Sequence, residues 1–137
     1  MRGGKMGNKG VDKTAWQKTL NLAALIAATK FDEAVKAYKV QEYGMYATIA
    51  NCLFAKAFAE LRRDEEFVEI VKLTLSSDIL LASTEDHEYC KAYIGILSYK
   101  YGYRDLLVSN KIRFDPIKIR KEKVSPAIRN MLFFEFR

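Results

Sequence analysis

A single histidine, His87, sits in the stretch TEDHEY among acidic neighbours. An imidazole flanked by carboxylates gains proton affinity and can serve as a general acid or base. Here the stretch reads as the polar first turn of a helix, where a solvated surface histidine is expected. The segment RDEEFVEI brings together four carboxylates, Asp64, Glu65, Glu66 and Glu69, the donor type that holds magnesium. The first three suit the positive end of a helix and Glu69 falls on its polar side, so a solvated helix face is the reading. The two cysteines, Cys52 and Cys90, lie in apolar helical patterns and are expected as buried, reduced thiols. With one histidine they make no zinc-ligand spacing. The glycines of RGGKMGNKG lack the preceding strand and following Lys-Ser or Lys-Thr of a phosphate-binding loop, and no nucleophile elbow occurs. The chain is therefore expected not to be an enzyme and to need no metal or cofactor.

The remaining chemistry is charge. The stretch KIRFDPIKIRKEKVSP gathers six lysines and arginines against two acids. Residues 1–20 carry a formal charge of +4 and residues 111–137 carry +5, whereas the ninety residues between them sum to −3. Clustered positive charge attracts phosphates or an acidic protein face. In KIRF and IKIR charged and apolar residues alternate, so an extended backbone would put Ile112, Phe114, Ile117 and Ile119 on the protein. Lys111, Arg113, Lys118 and Arg120 would then face outward, continued by Lys121, Lys123 and Arg129. This is a workable rail for a nucleic-acid backbone. Arg2, Lys5 and Lys9 would extend it. SYKYGYRD adds Lys100 and Arg104 interleaved with Tyr99, Tyr101 and Tyr103. Tyr101 and Tyr103 are candidates for stacking on unpaired bases where exposed, although tyrosines at a helix end more often pack on the neighbouring segment with their hydroxyls wet. The chain closes on MLFFEFR, whose Leu132, Phe133, Phe134 and Phe136 require burial on this domain or at a protein interface.

The elements that must carry these residues are helical. Half of the 137 residues are hydrophobic, enough for one domain to fill a core without metal or disulfide staples. Residues 1–11 read as a disordered basic N-terminus, with Asp12 capping a helix whose apolar line is Trp16, Leu20, Ala23 and Ala27, widened by Leu22, Leu25 and Ile26. So apolar a helix is expected at the centre of the core. FDEAVKAYKV follows, packing through Phe31, Val35 and Tyr38. The clearest helix is YATIANCLFAKAFAELRR, in which small alanines alternate with Ile49, Leu53, Phe54, Phe58 and Leu61. Another begins at Asp64 and buries Phe67, Val68, Ile70, Val71 and Leu75, and SDILLA reads as a short turn. A further helix, capped by Ser83 or Thr84, buries Tyr89, Ala92, Tyr93, Ile96 and Leu97 and closes at Gly102. The expectation is an all-α fold: a bundle of five or six helices over 12–104. Residues 105–137 form an extended basic segment, with a terminal helical turn started by Ser125 and Pro126.

A small helical body, a basic surface and no catalytic constellation resemble the small helical subunits of CRISPR–Cas effector complexes over residues 12–110. That resemblance implies a partner-rich surface and a place along a guide or target strand in antiviral defence; nucleoprotein packaging subunits share the outline. The function expected is a non-enzymatic subunit of a nucleoprotein assembly, contacting RNA or single-stranded DNA through phosphates and meeting other protein subunits or itself. The alternative is a helical, tetratricopeptide-like adaptor docking an acidic protein partner. MRGGKMGNKG has no apolar core for a secretory signal, and no window is apolar enough for a membrane helix, so a cytoplasmic location is expected.

Overall fold

Alanine at positions 47, 50, 55, 57 and 59 lets one helix be approached closely from every side, and that helix is the axis of the fold. A computed structural model describes the backbone of residues 3–76 and 84–112 and the side chains of residues 13–76 and 88–112. Among the described residues the elements are α1 (Gly3–Ala27), α2 (Phe31–Val35), α3 (Ala47–Glu60), α4 (Asp64–Ser76), α5 (Thr84–Lys100) and α6 (Arg104–Ser109). A 3-10 turn at Gly44–Tyr46 leads into α3. No strand occurs among them, and none of these helices is long and apolar enough to cross a membrane. The all-α bundle expected from periodicity is the fold.

α3 packs against α1, α2, α4 and α5, and ten of its fourteen residues are buried. The apolar α1, expected at the centre, instead lies at one side of α3. Its inward line is Ala15, Thr19, Leu22 and Ile26: Leu22 and Ile26 belong to the expected stripe, whereas the line through Trp16, Leu20, Ala23 and Ala27 lies one position away. Leu20 is exposed, and Trp16 leans on Tyr46 with ring centroids 4.9 Å apart. The reason is that α1 is apolar around much of its circumference, so its sequence does not prefer one rotation strongly. Thr19 tolerates burial because its Oγ1 donates to the Ala15 carbonyl at 2.8 Å. α1 also begins at Gly3, so helical backbone runs through the segment expected to be disordered, and Asp12 lies inside the helix instead of capping it. Extending a helix already anchored by its apolar half needs no new nucleus.

α4 returns antiparallel to α3 and buries Phe67, Val68, Ile70, Val71 and Thr74, with Leu75 packed at the margin. α5 then runs in the same direction as α3: Cys52 meets Cys90 partway along both helices, and Arg62 meets Tyr101 just past their ends. In α5 it is Ile94, not Ile96, that is fully enclosed. The body does not stop at residue 104. α6 buries Leu107, and Ile112 is folded against it, so the bundle reaches Ile112. The basic run from Arg113 onward, its Ser125 cap and the turn read in SDILLA lie outside the described residues.

Four helix ends close in the same way. After α1, α3, α5 and α6 a residue with positive φ hands its successor's N–H back to a carbonyl of the last turn: Lys30 to Leu25, Arg63 to Phe58, Tyr103 to Ser98 and Ile112 to Leu107. The positive-φ residues are Thr29 (59°), Arg62 (56°), Gly102 (74°) and Lys111 (61°). Only Gly102 is suited to this without cost. Thr29 is the worst fit, because a β-branched side chain in the left-handed region is strained. Thr29→Gly is therefore expected to stabilise the protein by about 1 kcal/mol, after allowance for the freer unfolded chain. Urea unfolding of the two proteins checks this.

Candidate nucleic-acid interface

The candidate binding residues that fall among the described ones are Lys100, Tyr101, Tyr103, Arg104 and Lys111. They gather where α5 turns into α6, beside the end of α3. The turn at Gly102 sends the three tyrosines of SYKYGYRD in different directions. Tyr99 is 76% exposed, Tyr101 is half-buried and Tyr103 is 1% exposed.

Tyr103 is not available to a base. Its ring stacks on Phe67 with centroids 4.1 Å apart and planes 15° from parallel. Its hydroxyl donates to Asp64 Oδ1 at 2.7 Å, and the Arg62 guanidinium covers the ring at 4.6 Å. Asp64, read from the sequence as a helix cap, thus also ties α4 to the end of α5. Tyr101 is similarly engaged. Lys56 Nζ donates to its hydroxyl at 2.5 Å and sits 5.0 Å from its ring centre, while that hydroxyl donates to Glu60. Lys56 also pairs with Glu60 at 3.2 Å. Arg62 Nη1 donates to the Tyr101 carbonyl at 2.7 Å, which places a cation on the negative end of α5. Both tyrosines are corrected from candidate base-stackers to parts of a latch joining the ends of α3 and α5 to the start of α4.

Two of these partners escaped the sequence reading. Lys56 had a usable signal, as the one charge inside the otherwise apolar run NCLFAKAFA. Burying part of an ammonium group demands a partner. Arg62 reads from the sequence only as a cation suited to the end of α3, and its contacts with Tyr101 and Tyr103 follow from a left-handed backbone that arginine does not advertise.

The sequence-predicted cations of this region, Lys100, Arg104 and Lys111, are all exposed. Arg104 and Lys111 form no side-chain hydrogen bond or ion pair among the described residues. Arg104 and Val108, four residues apart, share an exposed face of α6, Leu107 beside them is buried, and Lys111 follows beyond the helix end. Lys111 is exposed and Ile112 buried, but Lys111 takes a left-handed φ of 61° and closes α6, so the extended backbone expected from the start of KIRF is not found at Lys111. Arg113, Lys118, Arg120, Lys121, Lys123 and Arg129 lie outside the described residues, as do Leu132, Phe133, Phe134 and Phe136.

The carboxylates of RDEEFVEI do not converge. Asp64 accepts from Tyr103, Glu66 pairs with Arg63, and Glu69 accepts from Tyr38 at 2.8 Å and pairs with Lys39 at 3.1 Å. The Tyr38 hydrogen bond and then Lys39 hold the Glu69 carboxyl below its ordinary range. Among the described residues no three metal-ligating side chains come together.

Four tyrosines resist ionisation. Burial raises the phenols of Tyr38, Tyr43, Tyr101 and Tyr103, and carboxylates add to the effect: Glu69 at Tyr38, Glu60 at Tyr101 and Asp64 at Tyr103. Their folded pKa values lie above the unfolded value near 10, so the stability they contribute is complete below about pH 10 and declines above it. The well-buried Tyr43 and Tyr103 should each remove about 1.4 kcal/mol per pH unit in that alkaline window. Urea unfolding between about pH 9 and about pH 11, followed with phenolate absorbance, tests it: these rings should ionise only as the chain unfolds.

Compared with protein-family models, curated proteins and solved structures, the chain matches none.

Proposed function

We propose that this protein is a non-enzymatic helical subunit of a nucleoprotein assembly, contacting RNA or single-stranded DNA through its phosphate backbone without sequence specificity. The observation that carries the reading is the segregation of charge: +4 over residues 1–20 and +5 over residues 111–137, against −3 between them. Clustered lysines and arginines neutralise phosphates and so release the counterions condensed along a nucleic-acid strand. The bundle supports it by anchoring Ile112 while Lys111 and Arg104 stay exposed where the basic segment leaves α6. The role left open by Tyr101 and Tyr103 passes to Tyr99, an exposed ring followed at once by Lys100.

The test is a titration of the full chain, freed of nucleic acid, with single-stranded RNA, single-stranded DNA and duplex DNA at several salt concentrations. Affinity should fall steeply between about 50 mM and about 200 mM salt, with a log–log slope near −4 for about six contacts to a single strand. Tyr99→Ala should weaken single-strand binding roughly tenfold, the scale of one lost base stack, and leave duplex binding unchanged. No binding at the lowest salt overturns the proposal, as does salt-sensitive capture of an acidic protein in place of nucleic acid.

A further inference from the structure

The chain has two cysteines, separated by 38 positions, and the fold puts them together. Both are free and fully buried. Cys52 Sγ on α3 donates to the Cys90 carbonyl on α5 at 3.5 Å, which brings the two residues into direct contact. The approach is close because of what surrounds Cys52. Thr48, Cys52, Ala55 and Ala59 form one buried stripe on α3, at spacings of four, three and four, with nothing larger than threonine. Cys52 meets α5, so this narrow stripe faces α5. Packing alone does not require sulfur there, since alanine serves at the neighbouring positions of the same stripe.

We propose that Cys52 and Cys90 are a two-electron oxidation site, which a peroxide converts to an intramolecular disulfide stapling α3 to α5. One thiol, as its thiolate, attacks a peroxide oxygen; the O–O bond breaks, giving a sulfenic acid and one water. The second thiol displaces the sulfenic oxygen; the S–S bond forms and a second water leaves. Two thiols and one hydrogen peroxide thus give one disulfide and two waters, with two electrons passing from sulfur to oxygen. Burial also sets when this happens. A fully enclosed thiol is not reached by the oxidant, and desolvation, followed by the neighbouring thiol, keeps Cys52 protonated. Oxidation therefore runs through opening of α5 away from α3, and the product opposes that same opening. The site records excursions of the bundle under oxidising conditions.

The full chain, purified in reductant and then transferred, is incubated with hydrogen peroxide in rising urea below the unfolding midpoint. The expected result is loss of both free thiols, a monomer lighter by about 2 Da, and a rate that climbs with urea. The product should melt roughly 10 °C higher, as expected for a cross-link closing a loop of about forty residues, and dithiothreitol should reverse this. Oxygen adducts on single sulfurs, cross-linked dimers, or two surviving thiols once hydrogen exchange shows α5 open would overturn the proposal. So would the same rise in melting temperature in the Cys52→Ala protein, which cannot form the bond.

Discussion

Replacing Tyr103 with alanine is expected to remove about 3–5 kcal/mol of stability, a large part of what a domain of this size possesses. The ring is enclosed between Phe67 and the Arg62 guanidinium, and its hydroxyl is the donor to Asp64. Truncation opens a cavity at the base of α6, leaves Asp64 without its donor and removes the surface on which Arg62 rests. Tyr103→Phe keeps the stack and loses only the hydroxyl, so a cost of about 1–2 kcal/mol is expected. Urea unfolding of both variants separates the two contributions. Nucleic-acid affinity, measured where the variants remain folded, should be unchanged by Tyr103→Phe. Full stability in the alanine variant together with lost nucleic-acid binding would return Tyr103 to the binding surface.

The second large effect concerns the basic segment. Changing Lys118, Arg120, Lys121 and Lys123 together to glutamate takes the formal net charge from +6 to −2. Each lost phosphate contact on a single strand lowers the salt dependence by about 0.7, so the slope should shrink by about 3. Affinity at low salt should fall at least roughly a hundredfold, because repulsion is added to the lost contacts. The control is Lys30, Lys36 and Lys72 changed to glutamate, all exposed on the bundle. That variant also becomes more acidic but lies on the helical body, away from the charged ends, and should bind nearly as the parent does. Equal losses in both variants would mean that net charge alone, not the position of the basic segment, governs association.

What these variants separate is also what the sequence could and could not specify. Helix existence was legible because it depends on near neighbours: the alanine-rich run of α3, the acidic first turn and apolar spacing of α4, and Gly102 at the end of α5 are all local signals. The charge at the two ends needed only counting. Three features depended on the fold in space. The rotation of α1 was ambiguous because an apolar surface that wraps most of a helix has no single inward face, and only the contact with α3 selected Ala15, Thr19, Leu22 and Ile26. Tyr99, Tyr101 and Tyr103 look alike in SYKYGYRD, yet a left-handed turn between the second and third, with Phe67 and Asp64 waiting on α4, sent one inward and left one in solvent. Cys52 and Cys90 read as two separate small hydrophobes, and the parallel packing of α3 and α5 made them a pair. Short-range preferences decide where the chain coils, because they act within a turn. Which side chains meet across the bundle is decided by burial shared among helices distant in sequence, a property of the assembled core that no local pattern carries.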